Sequence, residues 1–403
     1  QFWFAVYRWW NLEGPSFGKP PNSSGSLVLL LPLRLECTIA AMAEKIAIVH
    51  DWLNGMRGGE KVLEELLALY PAADLFTLFY EPERVSPLIR SRQVTASRLN
   101  RYPWVRRRYR HFLPLFPRHV ESFDLRGYSL VISSSHCVAK GAVPAPEARH
   151  VSYIHSPMRY AWDQYYAYFA GAGFLSRRVI AREMSKLRVW DAASAARVDR
   201  FVANSSYVRQ RIQRYYRRDA AVVHPPVDTE FFRPAARPGR DYFLLVSALA
   251  PYKNVGLVLE AFRGLKERLV VVGKGQQERA LRRLAGPNVQ MLAEVGAERL
   301  RELYGNARAL VFAGVEDFGI AFAESLACGT PVVALDQGGV RDIVRDGRTG
   351  ILFPAATVAG LRAALDRVPS LDLDAAAIRG DALRFSAARF REEFARVAAP
   401  GGE

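Results

Sequence analysis

Two glutamates, Glu316 and Glu324, frame the stretch Glu316-Asp-Phe-Gly-Ile-Ala-Phe-Ala-Glu324. The apolar run Ala309-Leu-Val-Phe312 before it predicts a buried strand, and Phe322, Leu326 and Ala327 fall at helical spacing. Small residues break the chain at Cys328-Gly-Thr-Pro331, and Val332-Val-Ala-Leu335 predicts a second strand. With a helix starting near Phe318, Glu316 sits at its mouth and Glu324 further along, at most about 12 Å away. That reach suits a nucleotide sugar, with the sugar at one end and the ribose at the other. The diphosphate would lie near the helix N-terminus, where free NH groups and the macrodipole favour negative charge. Two acids on a solvated helix are the bland alternative. Glycosidases also use two carboxylates, but theirs flank one bond at about 5 to 10 Å, so this arrangement favours transfer over hydrolysis.

Parallel strands must position these groups. Lys45-Ile-Ala-Ile-Val-His50 reads as a first strand and Asp51 to Arg57 as its exit loop. Gly58-Gly59-Glu60 reads as the turn opening an amphipathic helix, Lys61 to Tyr70. Ligands bind at such exits and glycines admit close approach, so Gly58 and Gly59 are candidate site residues; a tight turn would need them equally. Tyr128 to Ile132 predicts a strand leaving through Ser133-Ser-Ser-His136, and His150 to Ile154 one leaving through His155-Ser-Pro-Met-Arg-Tyr160. Imidazole donates and accepts near neutral pH, which suits either histidine to a substrate hydroxyl or to local backbone.

The ordered set of motifs resembles the family 4 (group 1) retaining glycosyltransferases, nucleotide-sugar-using enzymes of GT-B fold. The matching stretches are Ser247-Ala-Leu-Ala-Pro-Tyr-Lys253-Asn254, Glu316 to Glu324, Ala327 to Ala334, and Gly338-Gly339 through Asp346-Gly-Arg-Thr-Gly350. Through Asp51 to Glu60, His155 to Asp163 and the Pro-Tyr-Lys turn, the chain is most similar to bacterial GDP-mannose-dependent mannosyltransferases of O-antigen or exopolysaccharide synthesis. The resemblance covers most of the chain from Lys45 onward.

It implies a role for each candidate. His155 would hydrogen-bond the donor sugar. Lys253 would stabilise the departing diphosphate, as a fixed cation does more in the transition state than in the ground state. Glu316 would sit by the donor sugar with the NH groups of Phe318 and Gly319, Glu324 would bind the ribose hydroxyls, and Gly58 and Gly59, with their loop, would lie beside the diphosphate and the acceptor. Family members often place an arginine where this chain has Ala248, so Lys274 or Arg341 is expected to supply a second charge, unless Lys253 works with the helix N-terminus alone. An inactive, donor-binding relative stays open for the same reason. The resemblance also implies attack from the leaving-group side, the departing phosphate taking the acceptor proton. No metal or cofactor is implied; the one Asp-x-Asp, Asp372-Leu-Asp374, falls in an expected loop away from the strand exits.

Length and alternation of strands and helices predict an α/β protein of two Rossmann-like parallel-sheet domains facing a cleft. The expected organisation is an extension over 1–41, disordered, not native or less readily a membrane anchor, then an N-terminal acceptor domain over 42–225. A linker over 226–240, a nucleotide-sugar domain over 241–375 and a C-terminal segment over 376–403 follow; its helix, roughly Asp381 to Val397, is expected to pack back on the first domain. Cys37, Cys137 and Cys328 are too few for a disulfide framework, which fits a reducing cytoplasm.

The net charge of +16 favours anionic partners. Arg98, Arg101, Arg106, Arg107, Arg108, Arg110 and Arg118 interleave with Tyr102, Trp104, Tyr109, Phe112 and Phe116. That mixture suits an anionic membrane surface, where each charge adds about 1 kcal/mol, or a solvated basic face. Single-stranded nucleic acid would suit it too, but no recognition motif accompanies it and none is expected as partner. The expectation is a hexosyltransferase moving mannose from GDP-mannose to a lipid-linked glycan of cell-surface polysaccharide synthesis, peripheral on the cytoplasmic face of the membrane.

Overall fold

Buried β-branched and leucine-rich runs alternate with helices along the chain, and in the computed structural model they assemble into two all-parallel sheets. The structure describes residues 44–401 apart from 170, 172, 237, 238 and 371–373, and leaves the side chains of 103, 106, 107 and 370 undescribed. The expected extension over 1–41 lies outside the described residues.

The first sheet comprises β1 (Ile46–His50), β2 (Asp74–Thr77), β3 (Val94–Ala96), β4 (Leu130–Ser135), β5 (Arg149–Ile154), β6 (Arg200–Ala203) and β7 (Ala220–Val222), in the order β3-β2-β1-β4-β5-β6-β7. The second comprises β8 (Tyr242–Val246), β9 (Arg268–Val272), β10 (Val289–Leu292), β11 (Ala307–Phe312), β12 (Val332–Leu335) and β13 (Gly350–Phe353), in the order β10-β9-β8-β11-β12-β13. This is the two-sheet GT-B architecture with a cleft. Strand order reverses between β1 and β4 and again between β8 and β11. At such switch points the exit loops of neighbouring strands part and leave a crevice for ligand. His50, Asp51 and His136 leave one switch point; Lys253 and Glu316 leave the other.

Both faces of each sheet are covered, so the strands are largely apolar, as parallel strands must be, and the buried polar side chains of β4 and β5, Ser133, His150 and Ser152, are hydrogen-bonded to one another. Ile48, Ile132, Val151 and Val202 pack beneath Val62, Leu63 and Leu66 of the Gly58–Leu69 helix. Phe390 and Phe394 of the Ala387–Ala398 helix join that core. Arg149 and Arg200 donate to the terminal carbonyls of Ala398 and Val397, at 2.6 and 2.8 Å, where positive charge suits the helix dipole.

Local differences from the expectation have local causes. The Gly58-Gly59 pair is the first turn of its helix, which spans Gly58–Leu69, because Glu60 reaches back to accept from Arg57 NH at 2.9 Å. The helix after Glu316 starts at Ile320, since Gly319 takes φ +97°, which a right-handed helix cannot continue. Within the segment expected as a linker, Val227 and Phe232 are buried, and Arg379 donates to the Thr229 and Phe232 carbonyls. Asp374 caps the Ala375–Ala382 helix, accepting from Ala376 and Ala377 NH, while Asp372 lies outside the described residues.

Candidate active site

The loop leaving β11 runs against the loop leaving β12, and only glycine fits there. A Cβ at Gly338 would lie 2.4 Å from the Glu316 carbonyl, and one at Gly339 2.3 Å from that of Asp317. Glu316 is thereby fixed at the cleft, with its carboxylate on the ammonium of buried Lys253. Lys253 ends the Pro251–Lys253 turn and lies 5.0 Å over the Tyr252 ring. Phe318 is buried between His224 and Phe385, and Gly319 opens the Ile320–Ala327 helix. One turn on, Glu324 is buried, accepting from Lys61 Nζ at 2.7 Å and from the Tyr304 hydroxyl at 3.0 Å. Two oxygens so held keep spare lone pairs for hydroxyl donors.

The opposite wall comes from the first sheet. A Cβ at Gly58 would lie 2.7 Å from Ile320 Cδ1, so two helix N-termini converge at one point. Their free NH groups and aligned dipoles make that point favourable to a diphosphate. Behind it, His50, His136 and His155 form a triangle with ring centroids 6.2 to 6.5 Å apart. Ser134 Oγ bridges His50 Nδ1 at 3.0 Å and His155 Nε2 at 2.8 Å, and Gly59 sits above both rings. Burial pushes all three imidazoles down to about 3, and Arg159 adds to it at His136 and His155, so they are neutral at pH 7. Burial pushes Glu60, in the same helix turn, up to about 7.

A buried ionic knot ties the walls together. Asp317 meets Arg211 Nη1 at 2.6 Å and Arg159 Nη2 at 2.7 Å, its carbonyl accepts from Ser205 Oγ, and Arg211 also holds Asp163 at 2.6 Å. Burial lowers Arg211, but Asp317 and Asp163 more than reverse it and hold the guanidinium charged. Arg159 also lies 5.8 Å over the Tyr252 ring, beside Lys253. The two basic residues considered for the second charge are occupied on the surface, Lys274 with Glu294 and Arg341 with Asp336. Ala248 is exposed.

Gly58, Gly59, His136, Lys253, Glu316, Phe318, Gly319 and Glu324 thus lie at one of the two switch points or on a helix that starts there, while His155 leaves the neighbouring β5. Sequence reading missed Lys61, Tyr304, Asp317 and Arg211 as members of the cleft. Arg159 was in view inside the strand-exit motif His155 to Tyr160, and an arginine beside a cleft histidine was the usable signal.

Two family profiles match the chain in succession: "Glycosyltransferase Family 4" over residues 56–231 and "Glycosyl transferases group 1" over residues 226–379. By fold and by these matches the chain is classified as a glycosyltransferase of the GT-B superfamily. A D-inositol 3-phosphate glycosyltransferase from Mycobacterium marinum is 34% identical over 42% of this chain and 41% of its own length. The phosphatidyl-myo-inositol mannosyltransferase of Mycobacterium leprae is 35% identical over 33% of this chain and 36% of its own. The chain therefore spans half or less of the length of these curated relatives. Among solved structures, sucrose-phosphate synthase from Thermosynechococcus elongatus has a TM-score of 0.66 at 17% identity, covering 87% of this chain and 97% of that one, a likeness of fold.

Proposed function

We propose that the chain is a retaining hexosyltransferase that takes mannose from GDP-mannose and passes it to a lipid-linked acceptor. The observation that carries this reading is the convergence of two helix N-termini between the Lys253–Glu316 pair and Glu324. That spacing provides for each part of a nucleotide sugar. Glu324 takes the ribose hydroxyls, and the helix ends with Lys253 take the diphosphate. His155 with Glu316 and the Phe318 and Gly319 NH groups take the hexose. As the donor bond breaks, Lys253 and the aligned NH groups stabilise charge growing on the diphosphate, which needs no reorganisation of solvent. Arg159 takes the place of the cation missing at Ala248. The departing phosphate collects the proton of the attacking hydroxyl from the same face of the sugar.

Mannose as the hexose rests on the motifs and on the mannosyltransferase relative. The acceptor has two readings. The motifs favour a glycan of polysaccharide synthesis, while both curated relatives are named for inositol acceptors, which favours an inositol hydroxyl.

Presentation of that acceptor at the cytoplasmic face of an anionic membrane fits the surface. Tyr102 and Trp104 are 52% and 55% exposed within the basic segment, and Phe174 and Leu175 are 70% and 76% exposed beside Arg178 and Arg182. Among the described residues no helix is long and apolar enough to cross a membrane.

Calorimetry with a panel of nucleotide sugars, on wild type and Glu324→Ala, tests the reading. One donor bound tightly and lost in the variant is expected; no binding of any donor sinks it, and salt-sensitive binding of oligonucleotides would turn attention to the basic segment.

A further inference from the structure

Asp51 is buried, and the chain after β4 folds around it so that four consecutive backbone NH groups point at its carboxylate. His136 and Cys137 NH reach Oδ2 at 2.6 and 2.8 Å, and Val138 and Ala139 NH reach Oδ1 at 2.7 and 2.8 Å. Burial pushes this carboxyl upward, and the His136, Val138 and Ala139 NH donors, with His50, offset only part of that rise. Four NH groups meeting two oxygens call for the carboxylate, since a protonated oxygen would face a donor. His136 Nδ1 then lies 3.1 Å from Oδ2 of that carboxylate. Two acceptors at this distance would repel, so Nδ1 carries the hydrogen and Nε2 keeps its lone pair. The ring is braced edge-on against Trp52, with centroids 4.4 Å apart. Its side chain stays 30% exposed, unlike the buried His50 beside it.

Neither the transferase reading nor the donor assignment uses this pair. We infer that Asp51 and His136 form an acceptor-hydroxyl site, in which Asp51 sets the tautomer and His136 Nε2 accepts a hydrogen bond from a hydroxyl of the incoming polyol or sugar. This rests on the transferase reading and adds the acceptor side of the same cleft. Two observations favour the acceptor over the donor. The donor-binding carboxylates and lysine stand on the second sheet, whereas His136 leaves the switch point of the first. His155, assigned to the donor hexose, already has its Nε2 against Ser134, and the His136 ring beside it, 6.3 Å away between centroids, presents a separate nitrogen to a second hydroxyl. The attacking hydroxyl's proton still goes to the departing phosphate; His136 holds a neighbouring hydroxyl and so orients the acceptor.

The test compares wild type, His136→Leu and His136→Gln. Each is assayed for donor Kd, for hydrolysis of GDP-mannose without acceptor, and for transfer to octyl α-D-mannopyranoside and to phosphatidylinositol. His136→Leu leaves Asp51 with its four NH donors, so the cradle survives, and unchanged donor Kd reports that it has. The expected result is a fall of about 100-fold in transfer, the size of effect that misplacing a reactant produces, with donor Kd and hydrolysis within about twofold. Gln, which can put its oxygen near the Nε2 position, should recover at least about a tenth of the transfer. Unchanged transfer in His136→Leu, or an equal fall in hydrolysis and transfer, overturns the inference. Failure of wild type to bind or hydrolyse any donor is a different result and brings down the transferase reading itself.

Discussion

Removing the charge on Asp317 should loosen the two halves of the molecule more than any single surface change. Its side chain is only 8% exposed, and it faces Arg211 at 2.6 Å and Arg159 at 2.7 Å, both contributed by the first half of the chain. Asp317→Asn leaves two guanidinium groups in a poorly hydrated place, a kind of change that costs about 3 to 5 kcal/mol when nothing compensates. Arg211 keeps Asp163 and the Ser156 hydroxyl, at 2.6 and 3.0 Å, so about 2 to 4 kcal/mol is expected. A double-mutant cycle isolates the pair: Asp317→Asn, Arg211→Met and the double variant, unfolded in urea and followed by two spectroscopic probes that must coincide. Because Met removes one of the two stranded charges, the double variant should be worse than Arg211→Met alone only by the cost left at Arg159, with a coupling of at least about 1.5 kcal/mol. Additivity within about 0.5 kcal/mol would refute the claim that this knot joins the walls of the cleft.

Other predictions follow from the same geometry. Glu60, pushed by burial to about 7 from an ordinary 4.5, binds its proton more tightly in the folded chain than in the unfolded one. Stability that it contributes below about pH 4.5 is therefore lost as pH rises to about 7. Glu60→Gln should match wild type near pH 4 and exceed it by about 3 kcal/mol at pH 8 in urea unfolding; a pH-independent difference would refute the shift. Lys253→Met should lower kcat by about 100-fold or more while changing donor Kd much less, because its charge is called on most as the diphosphate leaves; a change confined to Kd in steady-state and calorimetric measurements would contradict this. In vesicle flotation, Trp104→Ala combined with Leu175→Ala should weaken binding to vesicles containing phosphatidylserine by about tenfold or more; equal flotation of variant and wild type would remove that face from the membrane contact.

The strand-exit logic was readable residue by residue. The apolar stretches over 46–49, 130–132 and 309–312 mark β1, β4 and β11, although β4 runs on to Ser135 through serines that read as its exit loop. Local rules erred where a single side chain or backbone angle decided the boundary. Glu60 capping Arg57 moved one helix start back to Gly58, and the positive φ of Gly319 moved another forward to Ile320. Neither effect shows in hydrophobic periodicity, which averages over whole turns.

What the sequence determined by itself is the set of elements and the chemistry each one carries to its exit: an acid and a glycine after β11, a lysine in the turn after β8, histidines after β4 and β5. Short-range physics suffices for that, because burial pattern and turn chemistry act over a few residues. Only the tertiary structure decided which of these groups meet. Lys61 reaches Glu324 across 263 positions of chain, Arg211 reaches Asp317 across 106, and Asp51 is wrapped by NH groups more than 80 positions away. Such partners are selected by the order of strands in two sheets and by the closing of one sheet on the other. Charge pairs of this kind leave no periodic signature, since almost any acid and base could have been partners until packing excluded all but a few.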